Sequence, residues 1–131
     1  MIVTVDRERF AVPQSSVREV IEVEQAAVTR FENNEMIEFR GEAMPLVRLA
    51  NVFDLAGRKD GAFHAFVTDN GKQPVGIAVD RVVGQREIVI RSITDPLAQV
   101  AGVSGATELG DGRAVLILNV AEIARGMKKE V

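Results

Sequence analysis

Apolar and polar positions alternate along the first dozen residues. Val3 and Val5 interleave with Thr4 and Asp6, Arg7-Glu8-Arg9 follows, and Phe10-Ala11-Val12 resumes the alternation. A period of two around a short charged turn predicts a β-hairpin, closed off by Pro13. Ser16 and Glu19 then stand in the relation of a capping box, and Val17, Val20 and Ile21 recur at helical spacing. A short amphipathic helix is therefore expected over residues 15–21. Residues 24–34 are polar and carry Asn33-Asn34, which predicts a loop. A strand at residues 36–39, a turn at Arg40-Gly41-Glu42 and a second extended run over 43–49 follow. Pro45 inside that run implies an edge position or a bulge, because proline has no N–H to give to a ladder. Residues 51–55 suggest one helical turn, and the segment from Gly57 to Gly61 reads as a linker that divides the chain nearly in half.

The second half has the same style. Residues 63–67 predict a strand, Asn70-Gly71 is a strong hairpin signal, and Val75, Ile77 and Val79 alternate on the return strand. Further strands are expected at 87–90 and at 114–118, the latter apolar on both faces and so sandwiched where the two halves meet. Residues 96–100 allow a helical turn, and Asp111-Gly112 a tight turn. Asn119 is placed to cap a closing helix with Val120, Ile123, Ala124 and Met127 on one stripe. No helical segment between strands has the dozen or more residues of a parallel crossover, which predicts antiparallel sheets. Short strands punctuated by glycine turns favour small barrels, one in each half, over an open sheet.

Composition narrows the function. The chain has 131 residues, enough for one domain with a real core, but only 5% are aromatic and none is Trp or Tyr. Stacking platforms for bases are scarce, and a formal charge of −3 with both signs interspersed provides no field for phosphates. Nucleic acid is thus not an expected partner. The absence of cysteine excludes disulfides and thiolate chemistry and is compatible with a reducing compartment. No run is long enough to span a bilayer or to serve as a signal peptide, so a soluble, cytoplasmic protein is expected.

The search for chemistry ends without a catalytic set. His64 is the single histidine, with no ligand spacing around it, and reads as a strand-face residue; no metal and no cofactor are expected. Gly110-Asp111-Gly112-Arg113 lacks the Lys-Ser/Thr ending of a phosphate loop and is better explained as a hairpin turn. Ser104 has no histidine placed to activate it, and the acid pairs Asp54/Asp60 and Glu108/Asp111 sit in apparent loops.

Four segments say more. They are Phe10-Ala11-Val12-Pro13 with Val17-Arg18-Glu19-Val20-Ile21, the run from Phe39 to Leu49, the run from Val75 to Gln85, and the run from Gly102 to Val120. In this order they resemble the CheW-like domain of bacterial chemosensory signalling, most closely in the form that closes the histidine kinase CheA. Arg91-Ser92 departs from a Lys-Pro-like pair, and Asn119 stands where Asp is usual.

The resemblance implies a mainly β fold of two intertwined five-stranded SH3-like β-barrels with short helices. Residues 1–57 would form the first barrel, 62–119 the second and 120–129 the closing helix. It also implies a non-catalytic scaffold whose partners are CheW or CheW-like domains, the cytoplasmic tips of chemoreceptors, and the kinase domain of a longer parent chain. A free-standing CheW-type adaptor is the alternative within the family, and a small-ligand-binding barrel the alternative outside it. The family's partner-contact positions fall on Val17, Glu19 and Val20 of the first short helix and on Arg40 and Gly41 of the turn. Gly76 and Asp80 also match the family pattern and read as structural, a bulge or crowded crossing and a turn-adjacent acceptor.

Overall fold

The computed structural model describes residues 1–57, 61–84, 90–91, 101–108 and 112–125. The fold is mainly β, with two sheets and short helices. The expected N-terminal hairpin is present as β1 (Ile2–Val5) and β2 (Glu8–Ala11). The expected helix over 15–21 is not. A single 3₁₀ turn, Gln14–Ser16, gives way to strand β3 (Glu19–Glu24). The reason lies in the same residues: Val20, Ile21 and Val23 are β-branched and stiff, and Glu19-Val20-Ile21-Glu22-Val23-Glu24 also satisfies a period of two. Pairing with a neighbouring strand decides between the two periods.

The expected loop over 24–34 is corrected as well. It holds a second 3₁₀ turn (Gln25–Ala27) and strand β4 (Thr29–Phe31), which pairs with β5 (Asn34–Phe39). Glu32 and Asn33 close this hairpin with φ of +51° and +68°, the positive values that a tight two-residue hairpin turn requires. β6 (Glu42–Arg48) and the four-residue helix α1 (Leu49–Val52) follow. Beyond the linker come β7 (Ala62–Asp69), β8 (Pro74–Val79), β9 (Arg81–Gly84), β10 (Ile90–Arg91), β11 (Val103–Glu108), β12 (Ala114–Leu118) and α2 (Val120–Ala124). Asn119 caps α2 as expected, its side-chain oxygen accepting the Glu122 N–H at 3.2 Å. The expected helical turn at 96–100, Asp111 of the second turn, Met127 and most of the strand expected at 87–90 lie outside the described residues.

One sheet runs β10-β11-β12-β2-β1-β9 and the other β3-β7-β8-β6-β5-β4. Each sheet takes strands from both sides of the linker, so the two are intertwined and the sheet boundary does not follow the midpoint of the sequence. The expectation of purely antiparallel sheets is also corrected. β2 pairs with β12 in parallel, and β6 with β8, because long connections that contain other strands bring them together where no single crossover helix does. β6 is an interior strand, so Pro45 is not at a sheet edge. It is paired with Met36 of β5 and stands one residue before the parallel register with β8 begins at Leu46.

Three apolar clusters result. Val23, Ile37, Met44, Leu46, Phe63 and Val67 pack on one side of the sheet that runs from β3 to β4. Phe66, Ile77 and Val79 on its other side join Val3, Val5, Phe10, Leu118 and Ile123 in the core between the sheets. Ile2, Ala11, Val115 and Ile117 form a smaller cluster. β12 is therefore apolar on both faces, as its sequence indicated. Gly76 stands in a crowded place: a Cβ there would lie 3.0 Å from Met44 Cε and 3.3 Å from Leu46 Cδ1. Gly76→Ala should cost about 1–3 kcal/mol by overpacking, read as a fall in the urea midpoint with an unchanged slope.

Candidate partner-docking site

The β5–β6 hairpin closes at Arg40-Gly41, with Phe39 opposite Glu42. Both turn residues have positive φ, +52° and +83°. Glycine tolerates this conformation freely, whereas an arginine held there stores about 1 kcal/mol or more of backbone strain. The Arg40 side chain is 70% exposed. Its Nη2 donates to Glu19 Oε1 at 2.7 Å, and the guanidinium lies 5.2 Å above the centre of the Phe39 ring. An exposed ion pair and an exposed cation–π contact each contribute under about 1 kcal/mol. They offset the strain at best, so Arg40 adds little net stability. A Cβ on Gly41 would meet nothing within 4 Å, so the turn offers open space beside its backbone.

Glu19 opens β3, an edge strand whose other neighbour is β7. The Arg40–Glu19 pair thus draws that edge round to the β5–β6 turn. At the far end of β3, Gln25 accepts from Arg48 of β6, which curls the same sheet a second time. Val17, Glu19, Val20, Arg40 and Gly41 therefore fall on one seam, with differing roles. Val17 ends the first 3₁₀ turn and packs against the core between the sheets, while Val20, opposite Phe66 on β3, is 41% exposed. The placement of Val17 and Glu19 on a helix is corrected. Glu19 uses its carboxylate on Arg40, and the 3₁₀ turn has no side-chain cap.

The remaining candidates have structural places. His64 sits on β7 opposite Glu22, their side chains 3.9 Å apart. Ser104 Oγ donates to the Ile117 carbonyl at 3.4 Å. Asp80 accepts the Asp6 N–H at 2.7 Å while its own N–H donates to Thr4 O, tying β8 to the N-terminal hairpin. Among the described residues no group of His, Asp and Glu could hold a metal ion, and no helix is long and apolar enough to cross a membrane.

The sequence reading missed a cleft of about 470 Å³ at the mouth of the β3–β4 sheet, lined by Arg30, Glu35, Arg48, Phe63, Leu55 and Asp80 among others. Arg48 grips Glu35 with two bonds, 2.6 and 3.0 Å, and its guanidinium lies 5.0 Å above the Phe63 ring. A signal did exist in Thr29-Arg30-Phe31 and Asn34-Glu35-Met36, two extended triplets around a two-residue turn.

A model of the CheW-like domain matches residues 1–127. The chain belongs to the CheW-like domain family. Its curated relatives include the chemotaxis protein CheA of Bacillus subtilis, 36% identical over 121 residues that are 91% of this chain and 18% of that protein. The sensor histidine kinase CheAY of Helicobacter pylori is 31% identical over 136 residues, all of this chain and 17% of that protein. The chain thus spans about a fifth of the length of the curated relatives it matches. Among solved structures, the scaffolding protein TtCheW of Thermoanaerobacter tengcongensis superposes with a TM-score of 0.73 at 19% identity, covering 99% of this chain and 94% of that one. This likeness gives the CheW-like domain its fold. The domain is one that chemotaxis proteins carry.

Proposed function

We propose that this CheW-like domain is the coupling module of a CheA-type kinase. It docks CheW or CheW-like domains and the cytoplasmic tips of chemoreceptors through the seam of Val17, Glu19, Val20, Arg40 and Gly41. Arg40 carries this reading: an arginine held at positive φ, mostly exposed and of little net value to the fold is a strained residue retained at an accessible turn. Its planar fork suits carboxylates or main-chain carbonyls of a docked helix, and exposed Val20 supplies the apolar contact beside it. The CheA and CheAY relatives, several times longer than this chain, support a parent kinase that the domain would regulate. The one-domain reading belongs to the same proposal, as does recruitment to receptor arrays beneath the membrane. Receptor state then biases the kinase only so far as the domain binds its partners with different free energies in the two signalling states.

A second reading, a free-standing adaptor, is favoured by the near-complete coverage of TtCheW, itself a scaffolding protein. Pull-down of a purified receptor tip and of CheW by the immobilised domain tests the proposal: both should be retained. Passage of both through the column would end it, and a kinase domain upstream in the reading frame would exclude the adaptor.

A further inference from the structure

The cleft at the mouth of the β3–β4 sheet lies away from the Arg40 turn, at the opposite end of β5 and β6. Cross-strand register explains its charge. Arg30 faces Glu35 directly across the β4–β5 ladder, and Glu35 faces Leu46, two residues before Arg48 on the same side of β6. The three charged groups therefore share one sheet face, above the aliphatic cluster that contains Leu46 and Phe63. Glu35 is spent: both its oxygens accept from Arg48, and both side chains are about one-fifth exposed. Arg48 Nε and Nη2 are occupied by Glu35 and Gln25, which leaves the two Nη1 hydrogens without an acceptor among the described residues. Arg30 is exposed and has no ion pair or hydrogen bond among the described residues. Across the cleft, Asp80 is engaged with the Asp6 N–H, and Leu55, Val5 and Val79 supply apolar wall.

We propose that this cleft binds a small carboxylic acid with an apolar body. The carboxylate is held between the exposed Arg30 guanidinium and the Nη1 edge of Arg48, and the body lies against Leu55. The volume falls in the range of small-molecule sites, and Arg48 is preorganised by Glu35, Gln25 and the Phe63 ring, so little ordering is needed on binding.

Titration of the ¹⁵N-labelled chain with hexanoate at millimolar concentration, followed by amide and arginine Nε–H resonances, tests the site. Saturable shifts are expected at Arg48, Phe63 and Ala78, with no matching response to hexanol. Arg30→Gln, at an exposed strand position, should weaken hexanoate binding about tenfold with an unchanged melting midpoint. Absence of saturable shifts, an equal response to hexanol, or undiminished binding by Arg30→Gln would each overturn the proposal. The docking seam is untouched by any of these results.

Discussion

Arg40→Ala should lower retention of a receptor tip or of CheW by more than tenfold while moving the melting midpoint by less than the equivalent of about 1 kcal/mol. The two halves of this result rest on different quantities. Folding loses one exposed ion pair to Glu19 and one contact with Phe39, both screened by water. Binding loses a forked donor that a partner desolvates, and truncation of a buried, charge-bearing anchor at an interface costs about 2 kcal/mol or more. Arg40→Gly sharpens the test, because glycine relieves the positive φ: it should melt no lower than the wild type and still fail to bind. If both variants unfold in step with their loss of binding, the turn is a structural latch and the docking role is wrong. Glu19→Gln should weaken binding less than Arg40→Ala, since the amide still orients the guanidinium but holds it less firmly.

Phe66→Ala is expected to give the largest loss of stability, about 3–5 kcal/mol. Phe66 is fully buried in β7, between Val20 of β3 and Ile77 of β8 in the ladder, and its side chain enters the core that joins the two sheets. A loss of this size is a large fraction of the 5–15 kcal/mol typical of a domain, so the variant should be partly unfolded at physiological temperature. Phe31→Ala provides the contrast: that ring ends β4 and is 67% exposed, and its removal should change stability by no more than about 0.5 kcal/mol. Urea denaturation of both variants checks the pair. A loss under about 1 kcal/mol for Phe66→Ala would mean that the sheets are held together elsewhere.

Local signals were legible in the sequence where a few residues fix the backbone by themselves. Asn70 accepts the N–H groups of Lys72 and Gln73, and Gly71 takes φ of +92°, so the β7–β8 turn could be read directly, although it spans four residues rather than two. Asn119 capped its helix for the same reason. Asp80 took the acceptor position read for it, and of the bulge or crowded crossing read for Gly76 the structure shows the crowding. Where two local rules competed, the sequence did not decide. Ser16 and Glu19 spelled a capping box, but the alternation from Glu19 to Glu24 met a partner strand far along the chain, and pairing with β7 won. The parallel ladders β2–β12 and β6–β8 were illegible because they join segments far apart in the chain, and no turn chemistry marks them.

The proposed docking residues came from the resemblance rather than from physics, since an arginine in a turn is ordinarily a solvated cation. Its positive φ, invisible in the sequence, is what separates Arg40 from that ordinary case. The cleft was missed because reading 24–34 as a loop removed Arg30 from any sheet face, and with it the register that sets Arg30, Glu35 and Arg48 together.

The most direct measurement is amide chemical-shift mapping of the ¹⁵N-labelled domain on addition of unlabelled CheW or receptor tip. The perturbed amides should centre on Val17, Glu19, Val20, Arg40 and Gly41. A response confined to other surfaces, such as the β4–β5 hairpin tip or α2, with Arg40 and Gly41 unmoved, would contradict docking through this seam.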